Sequence, residues 1–190
     1  MQKYNQTYKD NGNFIIFAQN IISIKKMIIK PLTTAQLPEI LAIFNDAIVN
    51  TTALYDYELR TIEKVNQWYE AHVHNDFPIV GAFDDAGTLL GFATYGSFRP
   101  HDGYKFTFEH SVYVRTDARR RGVGKTLLIA LIEEAQKRPV HSLIGVIDAD
   151  NAVSIHLHEK LGFSFCGKIP QSGFKFGRWL DIVFYQLQLQ

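Results

Sequence analysis

The stretch that decides the fold is Val112-Tyr-Val-Arg-Thr-Asp-Ala-Arg-Arg-Arg-Gly-Val-Gly-Lys-Thr-Leu-Leu128. Its first residues read as the end of a strand. Its last ones open an amphipathic helix reaching Lys137, with Leu127, Leu128, Leu131 and Ala135 on one side. Between them lies a basic turn. Gly122 and Gly124 let the backbone turn tightly and approach a ligand with no Cβ in the way. The unpaired N–H groups of the first helical turn, around Val123, carry the positive end of the helix dipole and suit a phosphate or pyrophosphate. Arg119, Arg120, Arg121 and Lys125 add charge at that point. Taken alone, the turn is equally well a solvated basic helix start. Gly124-Lys-Thr126 does not extend to a nucleotide P-loop, because Arg119 stands where that motif needs a glycine.

Working outward, Met27-Ile-Ile-Lys-Pro31 reads as a short strand. Thr33 or Thr34 then caps a helix carrying Leu37, Ile40, Leu41, Phe44, Ala47 and Ile48 at helical spacing. A second helix is predicted from Thr61 through Trp68 to about His72. Residues 78–83 and 89–95, around the turn Asp84–Gly87, make a hairpin, and Phe106–Arg115 is the strand that enters the basic turn. Downstream come a strand over Leu143–Ile147, a helix over Ala152–Leu161 closed by Gly162, and strands at Phe163–Phe165 and Ile182–Leu187. This order predicts one α/β (α+β) domain over residues 27–190, a mixed central sheet flanked by helices. Residues 1–26 read as an N-terminal extension outside the core fold and ahead of Met27. An extra strand or a partner-binding arm is the alternative. The apolar stretch Phe14–Ala18 is too short to span a bilayer.

With 190 residues, 46% of them hydrophobic, the chain can bury a sizeable single core. A net charge of +1 leaves no global field to hold nucleic acid or an anionic membrane, so any anion must be gripped locally. The partner expected is a small molecule. Cys166 is the sole cysteine, which excludes an internal disulfide, fits a reducing cytoplasm, and reads as a small core residue. His156 and His158, like His72 and His74, are two apart and point to different helix faces, so no metal site is expected. Glu109 lies inside the apolar-aromatic run Phe106–Val114, where an unpaired carboxylate is costly to bury.

The second informative segment is Asn151-Ala-Val-Ser-Ile-His-Leu-His-Glu-Lys-Leu-Gly-Phe163, in which Asn151 caps a helix. With the basic turn, it resembles the GCN5-related N-acetyltransferase (GNAT) superfamily. The pyrophosphate signature Arg-x-x-Gly-x-Gly/Ala is matched by Arg119, Gly122 and Gly124, and the later signature by Asn151 and Gly162-Phe163. Three further blocks, residues 45–53, 107–114 and 173–181, are similar to the phosphinothricin acetyltransferase branch.

The resemblance implies a GNAT fold with acetyl-CoA as co-substrate. It implies acetyl transfer, in a ternary complex with no acyl-enzyme, to the α-amine of phosphinothricin, methionine sulfone or methionine sulfoximine. A homodimer is implied as well. In this reading Glu109 is the general base, acting through water, and backbone N–H groups around Val112, Tyr113 and Val114 polarise the thioester. Asn151 either faces a ligand amide or only caps its helix. His158 stands where many members carry a tyrosine that protonates the departing thiolate; it either donates that proton or is a helix histidine bonded to backbone or packed beside the cofactor. The loop Phe98, Arg99, His101, Asp102 and Gly103 would contact the acceptor, or is a surface loop with one solvated arginine. Lys175, with Phe176, Arg178 and Trp179, would wall the acceptor pocket or a dimer contact. Other acceptors (a polyamine, an aminoglycoside, a protein N-terminus) and a non-catalytic acetyl-CoA-binding module remain as alternatives.

Overall fold

Ile79-Val-Gly-Ala-Phe and Leu89-Leu-Gly-Phe-Ala-Thr-Tyr have no polar face, which a strand tolerates only when both of its sides are covered. The computed structural model, which describes residues 7–10, 13–16 and 27–189, covers them on both sides. The elements run β1 (Thr7–Asp10), β2 (Asn13–Ile16), β3 (Ile28–Pro31), α1 (Leu37–Asn50), α2 (Ile62–His74), β4 (Ile79–Phe83), β5 (Leu89–Ser97) and β6 (Thr107–Val114). They continue with α3 (Val123–Gln136), β7 (Ser142–Asp148), α4 (Ala152–Lys160), β8 (Ser164–Lys175) and β9 (Arg178–Gln188). Among the described residues the strands form one sheet in the order β1-β2-β3-β4-β5-β6-β7-β9-β8. Only β6 and β7 pair in parallel; the other pairs are antiparallel.

The residues of β4 and β5, which alternate except at the register shift beside Phe83, feed two cores. Val80, Ala82, Leu90 and Ala93 pack with Leu127, Leu128 and Leu131 of α3. Ile79, Phe83, Leu89 and Phe92 pack with Ile40, Phe44 and Ala47 of α1 and Val65 of α2. The sheet is therefore sandwiched, with α1 and α2 on one face and α3 and α4 on the other. The β6 strand obeys the same alternation. Tyr113 joins the α1 side, whereas Phe108, Val112 and Val114 pack toward α3.

The feature that makes room for a ligand is a split in the sheet. The β6–β7 ladder holds only from Thr107↔Ser142 to Glu109↔Ile144. Beyond it Ser111, Val112, Tyr113 and Val114 keep their β5 partners but lose β7, which continues on β9 instead.

Three expectations change. The capping threonine is Thr33, whose capping box with Gln36 closes a short 3-10 turn before α1 starts at Leu37. The last strands are far longer than the segments that sequence periodicity picks out. Most side chains of the edge strand β8 are exposed, and its ladder with β9 shifts register twice, so alternation is lost. Their hairpin turns at Phe176-Gly177, both with positive φ, as a two-residue loop joining twisted strands requires. Cys166 is exposed on β8 rather than in the core, because it lies at the register shift between Phe165 and Gly167. Of the N-terminal segment, β2 pairs with β3 through Phe14↔Ile29 and Ile15↔Ile28, and β1 with β2. The remainder of residues 1–26 lies outside the described residues.

Candidate active site

At the mouth of the split, the basic turn closes onto α3. Gly122 occupies the N-cap with φ 79°, a left-handed conformation that Arg120 also takes at φ 61°. Gly122 brings no side-chain cap to the first turn. The first amide to find a helical carbonyl is that of Thr126, bonded to Gly122 O at 3.0 Å. The Val123, Gly124 and Lys125 amides therefore face outward with the helix dipole behind them, the arrangement an anion needs. Arg120, Arg121 and Lys125 are exposed around them. Arg119 also faces solvent, its guanidinium 3.8 Å from the Asp46 carboxylate and 3.5 Å from Val114 O.

Behind this mouth lies a cavity of about 380 Å³, within the size range of small-ligand sites. It is floored by the separated ends of β6 and β7 and walled by Asn151, Ser154 and His158 of the α4 segment and by Thr52–Tyr55. Asn151 Oδ1 accepts from the Ser154 N–H at 3.0 Å, so it caps α4 at the cavity rim. On the opposite face of the sheet a second cavity, about 290 Å³, is bounded by Phe44, Arg60, Trp68, Ser111 and Tyr113. Glu109 lines both cavities. Burial raises its pKa above the ordinary carboxylate value, and the nearby charge of Arg99 draws it back.

The loop 51–60 that walls both cavities is tied down from two directions. Asn45 of α1 exchanges hydrogen bonds with the Arg60 backbone, accepting from its N–H at 2.8 Å and donating to its carbonyl at 3.1 Å. Lys175 of β8, only 3% exposed, donates to Thr51 O at 2.8 Å and to Leu54 O. Burial lowers the Lys175 pKa. Its ammonium thus serves the loop, and Lys175 lines neither cavity. Phe98, Arg99, His101, Asp102 and Gly103 line neither cavity. Arg99 lies over the Phe98 ring at 4.3 Å and reaches Glu109 only through its field. His158 is brought to the cavity, but both of its ring nitrogens are engaged, Nδ1 with Ser154 O and Nε2 with His110.

Sequence reasoning missed Arg60, Tyr55 and His110. Arg60 lies over the Phe44 ring at 4.0 Å and bonds Asp56 at 3.0 Å. Tyr55 lines the first cavity, and its buried hydroxyl has no hydrogen-bond partner. The signal was present for His110, a second polar residue beside Glu109 in the apolar run. None existed for Arg60, whose place depends on a loop.

An uncapped helix start stands at the mouth of a split parallel strand pair. Residues 39–163 match the model of the Acetyltransferase (GNAT) family. The chain belongs to that family. As a GNAT protein it is an acetyl-CoA-dependent N-acetyltransferase, and the fold expected from the sequence is the one found. It is 48% identical over 155 residues, 82% of this chain and 90% of the relative, to the L-methionine sulfoximine/L-methionine sulfone acetyltransferase of Pseudomonas paraeruginosa. Among solved structures it is similar to yncA of Salmonella typhimurium with its cofactor acetyl-CoA. The TM-score is 0.84 at 38% identity, covering 86% of this chain and 94% of that one. It is also similar to the Sinorhizobium meliloti phosphinothricin acetyltransferase in complex with acetyl-CoA. Here the TM-score is 0.83 at 32% identity, covering 85% of this chain and 87% of that one. Among the described residues, no helix of this GNAT chain is long and apolar enough to cross a membrane.

Proposed function

We propose that this GNAT enzyme acetylates the α-amine of a small amino-acid-like acceptor of the methionine sulfone, methionine sulfoximine or phosphinothricin kind, with Glu109 as the general base. The observation that carries the reading is that Glu109 stands in the wall common to two cavities on opposite faces of the sheet. Acetyl-CoA, when bound, supplies an acetyl group activated as a thioester. On this side the bare amides of Val123, Gly124 and Lys125, with Arg119, Arg120 and Arg121, hold its diphosphate. Backbone N–H groups of Val112 and Val114, which face the side that β7 has left, serve as donors where negative charge develops on the thioester oxygen. On the other side Glu109 attracts the acceptor's ammonium and takes its proton through water.

An amino acid offers one ammonium and one carboxylate. The second cavity offers the complementary pair, Glu109 and the Arg60 guanidinium. A polyamine or an aminoglycoside would leave Arg60 facing a like charge. The curated relative's name points to the same acceptor class. The catalytic domain runs from Met27, with residues 1–26 an addition to it. Phe174, Phe176 and Trp179, exposed at the β8–β9 end, suit burial against a second copy in a homodimer, to be checked by sedimentation mass. A single cysteine that cannot form an internal disulfide suits a cytoplasmic enzyme.

The test is thiol release from acetyl-CoA with a panel of amines. Release is expected with methionine sulfone, methionine sulfoximine or phosphinothricin, and little with spermidine, kanamycin or an alanine-terminated peptide. Tight acetyl-CoA binding with no release across the panel, or a preference for the polycations, would defeat the reading.

A further inference from the structure

Two imidazoles meet on the α3–α4 side of the sheet, and one carbonyl settles their protons. His158 Nδ1 lies 2.7 Å from Ser154 O, which can only accept, so Nδ1 carries hydrogen. In a neutral ring Nε2 is then a bare lone pair. That atom lies 2.9 Å from His110 Nε2, a distance that requires one hydrogen between them. His110 must supply it. His110 Nδ1 is left without a proton, and it is a buried atom with no hydrogen-bond partner. The charged alternative would place N–H on His158 Nε2 and turn the His110 proton toward the Ile144 backbone, at the cost of a buried imidazolium with no carboxylate bonded to either ring. A buried charge without such a partner is far more costly than an idle acceptor. The neutral arrangement is the one the geometry supports.

Packing holds the pair edge to edge, with ring centroids 5.1 Å apart. His110 and His158 are 6% and 5% exposed, and both rings pack on Phe163, with centroids at 5.2 and 4.9 Å. A Cβ on Gly145 of β7 would sit 3.0 Å from His110 Cε1 and from His158 Nε2, so strand β7 admits the two rings only because residue 145 has no side chain. Tyr185 of β9 faces His158 at 6.4 Å, with its hydroxyl bonded to Glu159 at 3.0 Å. The carboxylates of Glu109 on β6 and Asp148 on β7 line the adjoining cavity, and neither bonds an imidazole.

We propose that His110 is the positioning residue of His158: its Nε2–H holds the His158 ring with Nε2 as an acceptor and withholds that ring from donating a proton to a departing thiolate. The proposal deepens the acetyl-transfer reading above and rests on it for the thiolate. The only proton on neutral His158 is committed to Ser154 O, on the far side of the ring from His110. A group that stands in the place of a proton donor is thereby wired as an acceptor. Burial presses both rings toward the neutral form, His110 to about 3.

Ring-nitrogen NMR on the full chain tests this without any turnover. Wild-type His158 is expected as the Nδ1–H tautomer with Nε2 unprotonated; finding Nε2–H instead overturns the proposal. His110→Phe keeps a ring of similar size but has no donor, and His110→Gln restores an N–H. In His110→Phe the His158 titration should rise by about one pH unit, within the spread that ordinary environments impose. It should fall back in His110→Gln. A His158 titration indifferent to His110→Phe also overturns the assignment. Should that variant not fold, the wild-type tautomer decides alone. Failure of acetyl transfer over the amine panel would sink the acetylation reading and leave the tautomer result standing, so the two failures are distinguishable.

Discussion

Glu109 and His110 are neighbours in one strand, and strand alternation sends them to opposite faces, the carboxylate to the acceptor cavity and the imidazole to α4. That parity was legible from sequence; what each residue meets was not, since Arg60 and His158 arrive from elements about 50 residues away on either side. Glu109→Gln removes the base while keeping size and much of the hydrogen bonding. If Glu109 takes the amine proton, kcat should fall by roughly 10²- to 10⁴-fold, the range of general-base contributions, with acetyl-CoA affinity little changed. Because burial raises its pKa, the base is lost on acidification earlier than an ordinary glutamate would be. Activity of the wild type should therefore rise with pH through a limb set above the usual glutamate value. Unchanged turnover in Glu109→Gln would remove this side chain from the mechanism.

At the scale of elements, the two glycines of the basic turn look alike in sequence and differ in the structure. Gly122 needs its left-handed φ of 79°, yet a Cβ there would meet no protein atom within 4 Å. Gly124 is an ordinary helical position whose Cβ would rest 3.6 Å from Val114, a normal contact. Gly122→Ala should therefore destabilise the fold by about 1–2 kcal/mol through backbone strain and weaken acetyl-CoA binding with it. Gly124→Ala should leave the melting temperature level or raise it, since alanine is the better helix former by about 1 kcal/mol, yet still lower acetyl-CoA affinity. Thermal melts with and without acetyl-CoA separate the two effects; equal loss of stability in both variants would contradict the assignment. Helices with clear periodicity and doubly buried strands could be read from the chain, and so could this turn. The β8–β9 hairpin could not, because exposed Phe165, Ile169, Phe174 and Trp179 interrupt the polar-apolar alternation that marks a strand. The anchoring role of Lys175 was hidden for the same reason, since it depends on where that hairpin lies against the loop 51–60.

Across the whole molecule, two cores share one sheet, and the histidine pair sits where that sheet opens, so its desolvation is a cost the rest of the fold must carry. The sign of its pH dependence follows from the depressed pKa of His110. Unfolded, the ring titrates near 6.5; folded, burial first and the His158 charge second bring it to about 3. Between those values the unfolded chain binds a proton that the folded chain refuses, so stability is full above the unfolded value and drains away as pH falls toward the folded one. From about pH 7 to about pH 5 this one residue removes about 2 kcal/mol, at about 1.4 kcal/mol per pH unit once below 6.5. His158 and His72, also depressed by burial, add to it in the same direction. Urea denaturation across that window should show the midpoint falling in the wild type and a visibly shallower fall in His110→Phe, which has no proton to refuse. Identical slopes would mean that His110 is solvated or charged in the folded protein, and the neutral pair at the open end of the sheet would have to be given up.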